Sequence, residues 1–141
     1  MNPRPHRNVG FFIFKIFMYM NYQIKKEQLQ SIFDSMMKEF ENLEYTDRSY
    51  DYWDSLKSRY VDDNVTNFYK NIDEDYDDDN WIFQYQKTPG DSATKYEVPV
   101  LRCSEYYVKT IITIFQDNWG DLMKEWFKKK YGLYVNHVRT Y

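Results

Sequence analysis

The residues with the clearest capacity for chemistry form an acidic run in the middle of the chain. Within eight residues the run holds six carboxylates: Asp73, Glu74, Asp75, Asp77, Asp78 and Asp79. Clustered oxygen ligands suit Ca²⁺ and Mg²⁺. An EF-hand loop beginning at Asp73, however, would need Gly where Asp78 stands and Glu where Gln84 stands. Three interpretations are open: a solvated acidic loop, a weak cation site, or an acidic docking surface for a basic partner.

Groups suited to nucleophilic or metal catalysis are scarce. The chain has one cysteine, Cys103, and two histidines, His6 and His137. A thiol at a helix N-terminus can have a lowered pKa, so Cys103 with His137 is the one nucleophile and base pair to consider, although a buried, inert thiol is the commoner state. There is no phosphate loop, dinucleotide-binding glycine pattern or nucleophile elbow. We therefore assign no catalytic residue, no metal ligand and no cofactor, and expect a non-enzymatic protein.

The distribution of charge bears on the class of partner. The net charge is −3, with 12 acids against 5 bases in residues 47–91 and 5 acids against 8 bases in residues 92–141. Basic and aromatic residues alternate near the C-terminus, as in binders of single-stranded nucleic acid: Lys124, Lys128, Lys129, Lys130, Tyr131, Tyr134, Arg139 and Tyr141. The acidic balance of the whole chain nevertheless argues against a nucleic-acid partner.

Aromatic residues make up 21% of the chain, including 15 Tyr and 10 Phe. Rings bury large areas, and Tyr and Trp are also enriched at interfaces, so this excess predicts an aromatic core and an aromatic contact surface. The predicted function is protein–protein interaction, through a protein partner or another copy of the chain, with Trp53, Trp81 and the acidic run as interaction candidates. Richness in Asn, Lys and Ile is typical of AT-rich coding and suggests a viral or phage accessory or structural subunit.

Two other functions stay open as hypotheses. In the first, the chain is an acidic inhibitor or nucleic-acid mimic that places the acidic run, with Asp62 and Asp63, in a basic groove. In the second, it is a divalent-cation-dependent hydrolase or nuclease that uses the acidic loop.

The first elements that would position these residues are helices. Apolar side chains recur at helical spacing over 25–43, which predicts an amphipathic helix: Leu29, Ile32, Phe33, Met36, Met37, Phe40 and Leu43. A second helix is predicted over 49–61, with Ser49 as its cap and Tyr50, Trp53 and Tyr60 along one side. Residues 64–71 fit either a short strand or a helical turn.

Strands follow the acidic run. Residues 81–86 alternate between apolar and polar side chains, which predicts a half-buried strand. Thr88-Pro89-Gly90-Asp91 suits a type II turn. The chain returns as a strand over 96–102, which Pro99 should place at a sheet edge or a bulge. A final strand is predicted within 133–141.

Two more helices are predicted between these strands. The first covers 104–116 with Ser104 as its cap, and the second begins at Asn118 and runs over 119–131. Gly132 stands where a left-handed C-cap residue belongs. The fold class is therefore α+β, a single domain in the order α-α-β-β-α-α-β, with a small, mainly antiparallel sheet packed by amphipathic helices.

Residues 1–20 are a separate question, and residues 21–141 are assigned to the domain. Arg4 and Arg7 precede an apolar run of about ten residues, too short for a helix that spans a bilayer. It fits a start-site extension before Met18 or Met20, a packed arm, or a targeting or membrane-surface anchor, the last through residues 9–20. Without a cleavage site after the run, and with a single cysteine, we expect a cytoplasmic protein, in the interior of a host cell or in a virion, that is not secreted.

Overall fold

The computed structural model describes residues 22–72, 80–90 and 92–141, with the side chains of 22–24 left aside. The prediction for residues 1–20 therefore lies outside the described residues. The helices are α1 (Tyr22–Met36), α2 (Glu105–Phe115) and α3 (Trp119–Tyr131). The strands are β1 (Glu44–Asp54), β2 (Arg59–Tyr69), β3 (Phe83–Gln86), β4 (Val100–Cys103) and β5 (His137–Thr140). Short 3₁₀ turns cover Met37–Phe40 and Gln116–Asn118.

The five strands form one sheet in the order β1-β2-β3-β4-β5. Neighbours are antiparallel except β4 and β5, which are parallel because α2 and α3 connect them. The predicted α+β class and the small, mainly antiparallel sheet packed by helices are confirmed. In the described ranges, no helix is both long enough and apolar enough to cross a membrane.

The core lies between the helices and one face of the sheet, and many of its buried residues carry aromatic rings. Phe33 of α1 contacts Phe115 at a centroid distance of 5.2 Å. Phe68 of β2 contacts Phe127 of α3 at 5.4 Å. Edge-to-face rings at such distances add attraction to the apolar area that they bury. The apolar stripe predicted over 25–43 is confirmed, since Leu29, Phe33, Met37 and Phe40 belong to this core.

The helix predicted over 49–61 is wrong, because this segment belongs to a β-hairpin. Ser49, the predicted cap, lies in β1 opposite Asn64 of β2. Asp54 makes the turn, since its Oδ1 accepts hydrogen bonds from the N–H groups of Leu56 and Lys57 at 2.9 and 3.1 Å. The rings at three- and four-residue spacing fit a helix by coincidence. β-favouring Tyr, Trp and Val residues, together with the pairing of β1 with β2, decide the structure of this segment.

The strands after the acidic run were predicted more closely. β3 and β4 pair antiparallel, and β5 completes the sheet beside β4. The predicted edge position is wrong, because β4 lies between β3 and β5. Pro99 needs no ladder donor since β4 begins after it, at Val100. Its carbonyl accepts hydrogen bonds from the N–H groups of Asn136 and His137.

The helix ends follow local rules only in part. Gly132 has φ +69°, as the predicted left-handed C-cap requires. Ser104 and Asn118 precede α2 and α3, but neither caps its helix through its side chain.

Candidate functional site: the projecting hairpin

The two longest strands extend beyond the rest of the sheet. β1 and β2 pair over their whole length, from Glu44↔Tyr69 to Asp54↔Arg59. β2 meets β3 only from Val65 to Phe68. Residues 49–64, here called the hairpin arm, therefore have no further strand beside them among the described residues.

One face of the arm carries two cross-strand pairs of matched side chains. Asp51 lies opposite Asp62, and Trp53 lies opposite Tyr60. Because side chains two residues apart point to the same face of a strand, all four lie on one face. We call these four residues the acidic–aromatic face.

The aromatic pair is exposed to solvent. Its ring centroids are 5.3 Å apart, with planes at 74°. Trp53 is 55% exposed and Tyr60 is 70% exposed. Leu56, in the turn beside them, is 96% exposed. Exposed rings grouped at the end of a projecting element are typical of contact surfaces.

The acidic pair beside them is electrostatically unfavourable. A hydrogen bond to Asp62 and the negative charge of Asp62 raise the pKa of the Asp51 carboxyl. Like charges directly opposite each other destabilise a strand pair. A cation placed between the two carboxylates would relieve this repulsion, so the geometry favours a positively charged ligand.

The other face of the arm is covered at its base by the segment between β3 and β4. Asp63 is buried there, and its Oδ2 lies 3.0 Å from Ser92 Oγ. The buried Arg102 guanidinium donates to Gln86 Oε1 at 2.9 Å and to the Ser92 carbonyl at 2.7 Å. Burial lowers the Arg102 pKa, and the charge of Asp63 opposes that shift. This polar network ties the segment to the sheet.

Gly90 allows that close approach. A Cβ at this position would lie 2.5 Å from Asp63 Oδ1. A type II turn would need a positive φ at this glycine, and among the described residues only Gly132 is a glycine with positive φ. The predicted type II turn is therefore wrong. A glycine stands at this position because a larger side chain would collide with Asp63.

A groove of about 1020 Å³ lies between α1 and α3. Its lining carries equal numbers of acidic and basic side chains, and polar groups of the two helices pair with each other. Lys129 Nζ lies 2.5 Å from Asp34 Oδ2, and Gln30 Nε2 donates to Asp34 Oδ1 at 2.8 Å. Nothing in this arrangement singles out a reactive group.

The candidate residues from the sequence are placed very differently. Trp53 is exposed on the arm, whereas Trp81 is buried and packs against Tyr141. The acidic run, Asp73–Asp79, lies outside the described residues. Asp62 and Asp63, which the acidic-mimic hypothesis grouped together, lie on opposite faces of β2, and Asp63 is buried.

The considered nucleophile and base are kept apart. Cys103 is completely buried in the core, and burial raises its thiol pKa far above the ordinary range. His137 is exposed and pairs with Val100, three residues before Cys103. The described ranges contain no group of three or more His, Cys, Asp and Glu side chains able to hold a metal ion.

Sequence reasoning missed Asp51 and Tyr60 as members of a surface. The signal that could have found them is symmetry about the turn. An Asp and a ring lie four and two residues before Ser55, and a ring and an Asp lie two and four residues after Ser58. The helix predicted over 49–61 kept Trp53 and Tyr60 on one side, but it separated Asp51 from that side and ended before Asp62. No protein-family model, no curated protein and no solved structure matches the chain.

Proposed function

We propose that this chain is a non-enzymatic binding protein whose hairpin arm recognises a basic segment of a protein partner. The observation that carries the proposal is the juxtaposition on the acidic–aromatic face. An exposed Trp–Tyr pair lies beside two opposed carboxylates, on an element that extends past the rest of the sheet.

The chemistry of this face suits Lys or Arg side chains. An ammonium or guanidinium over the Trp53 ring gains roughly 0.5–1 kcal/mol at an exposed site. The same cation can offset the negative charges of Asp51 and Asp62, which repel each other in the free chain. Charge-assisted hydrogen bonds are also stronger than neutral ones. The rings would provide apolar contact area, and the carboxylates would select the sign of the partner's charge.

The pairing of the two strands supports specificity as well as affinity. The paired backbone of the arm holds its four contact side chains in register. Binding should therefore cost little conformational entropy on this side of the interface. Because the contacts include solvent-exposed charges, the affinity is expected to fall as salt rises.

A titration with a defined probe tests the proposal. The full ¹⁵N-labelled chain is titrated with a capped peptide of four Lys-Thr repeats and, separately, with its Glu-Thr counterpart. We expect amide shift changes concentrated at residues 49–64 with the basic peptide only. Shift changes elsewhere, or equal binding of the acidic peptide, would contradict the proposal.

Matched variants connect the binding to the rings. Trp53→Ala should weaken binding of the basic peptide by more than about tenfold, as expected for a ring that anchors a contact. Tyr106→Ala removes another strongly exposed aromatic side chain, 87% exposed on α2, and should leave the affinity unchanged.

A further inference from the structure

The two edge strands of the sheet differ in length. β5, at one edge, has 4 residues, whereas β1, at the other, has 11. β1 contains neither Pro nor Gly, and none of its residues is buried. Proteins ordinarily shorten, bend or cover such edges, because an open edge accepts another strand.

The backbone of β1 is already in the conformation that strand addition needs. All 11 of its residues are in register with β2, so the strand is held extended. In a paired strand, alternate residues direct their N–H and C=O groups to the opposite edge. No described residue forms a strand beside that edge. An incoming chain would find a preformed row of donors and acceptors.

Charge decides which chain could lie there. β1 carries four acids and one base: Glu44, Asp47, Asp51, Asp54 and Arg48. A second copy of β1 would therefore bring acids beside acids, and like charges across neighbouring strands are destabilising. A basic strand would bring Lys or Arg beside them instead.

Alternation specifies the pattern of that strand further. Asp47, Asp51 and Trp53 lie on one face of β1 because they are separated by even numbers of residues. An added strand with a basic side chain at every second position would direct all of its cations to this same face. Cross-strand neighbours have Cβ atoms roughly 5 Å apart, within reach of Lys and Arg.

We propose that the outer edge of β1 binds an extended basic segment of a protein partner by strand addition, with the basic side chains on the acidic–aromatic face. This inference rests on the proposed function and adds the mode of binding. Main-chain hydrogen bonds to β1 would contribute affinity, and the side chains on one face would contribute selectivity.

Backbone methylation of the peptide tests this mode of binding directly. The capped Lys-Thr peptide is prepared in two further forms, one N-methylated at every Lys and the other at every Thr. A strand that is added to an edge directs only one of these two sets of amides to β1. We expect one methylated form to lose binding by more than about tenfold, because several hydrogen bonds are lost together, and the other form to bind nearly as the parent does.

Hydrogen exchange supplies the second measurement. Added-strand pairing should slow exchange at alternate amides of β1 that exchange readily in the free chain, and the methylated peptide that fails to bind should leave them fast. Sedimentation of the chain alone should show a monomer. A dimer with those same amides protected would overturn the proposal in favour of a second copy as occupant.

The outcomes separate the two proposals. If both methylated peptides bind as tightly as the parent while Trp53→Ala still weakens binding, strand addition is overturned and the proposed function stands. If the parent peptide does not bind at residues 49–64, both proposals fail together.

Discussion

The two ends of the β1–β2 hairpin use the same kinds of side chain for different purposes. At the base, Phe68 is buried and contacts Phe127 and Tyr131 of α3. At the tip, Trp53 contacts Tyr60 and remains 55% exposed. The strands are continuous between the two ends, so the difference lies in what packs over them. Rings beneath the helices stabilise the fold, and rings beyond the helices are available to a partner.

The largest expected effect tests this contrast directly. Phe127→Ala should lower the free energy of unfolding by about 3–5 kcal/mol, because it leaves a cavity among the core rings. Trp53→Ala should cost less than about 1 kcal/mol, the range of an exposed cross-strand pair. Urea unfolding followed by circular dichroism measures both. Similar losses for the two variants would mean that the arm belongs to the cooperative core.

A smaller effect is expected where the segment between β3 and β4 packs against Asp63, on the face of the arm opposite to the acidic–aromatic face. Gly90→Ala should destabilise the chain by about 1–3 kcal/mol, since the new methyl group would collide with Asp63 Oδ1. Gly120→Ala is the control, because a Cβ there meets nothing within 4 Å. Because Gly120 lies in α3, the substitution to Ala should raise the free energy of unfolding by up to about 1 kcal/mol. Thermal melts of both variants measure the difference, and equal melting temperatures would contradict the close approach.

One ring hydroxyl in the body of the fold should contribute little to stability. The Tyr131 hydroxyl is buried and has no hydrogen-bond partner among the described residues, so Tyr131→Phe should leave stability unchanged or raise it by up to about 1 kcal/mol. A loss above 1 kcal/mol in urea unfolding at neutral pH would show that the hydroxyl is bonded.

The same tyrosine predicts a response to alkali. Burial raises the Tyr131 pKa to about 12 from 10.0. Between these values the folded state retains a proton that the unfolded chain releases, so stability should fall as pH rises from 10 toward 12. Tyr131→Phe should reduce this loss, and Tyr85 should preserve part of it because burial raises its pKa as well. Unfolding curves from pH 8 to pH 11 measure the slope.

The smallest effect on stability is expected at the acidic pair. The pKa of Asp51 is raised above its ordinary 3.8, so the folded state keeps this proton to a higher pH than the unfolded chain does. Stability at this site is therefore greatest below the unfolded pKa and decreases as pH rises through the folded pKa. Asp51→Asn should give a slightly higher melting temperature at pH 7 and no difference at pH 3.

The same substitution should weaken binding of the basic peptide, so stability and recognition would change in opposite directions. Asp121→Asn is a suitable control, because Asp121 is exposed on α3, far along the chain from the arm. Unchanged peptide affinity in Asp51→Asn would remove the acidic pair from the proposed contact surface.

Amphipathic spacing was sufficient to predict much of this protein. The α1 stripe, both later helices, the β3–β4 hairpin and the Gly132 C-cap follow from local rules, because each depends on side chains within a few residues of one another. The presence of many rings in the core also follows from composition, since aromatic residues make up 21% of the chain.

Tertiary structure decided what local patterns could not. Residues 49–61 have rings at spacings that fit either a helix or a strand, and only pairing with β2 selects the strand. That pairing brings Asp51 to Asp62 and Trp53 to Tyr60, and so creates a face that no continuous stretch of sequence displays. The same pairing turns Asp63 inward while Asp62 stays exposed. Contacts between residues far apart in the chain depend on the whole fold, whereas periodicity within one segment does not.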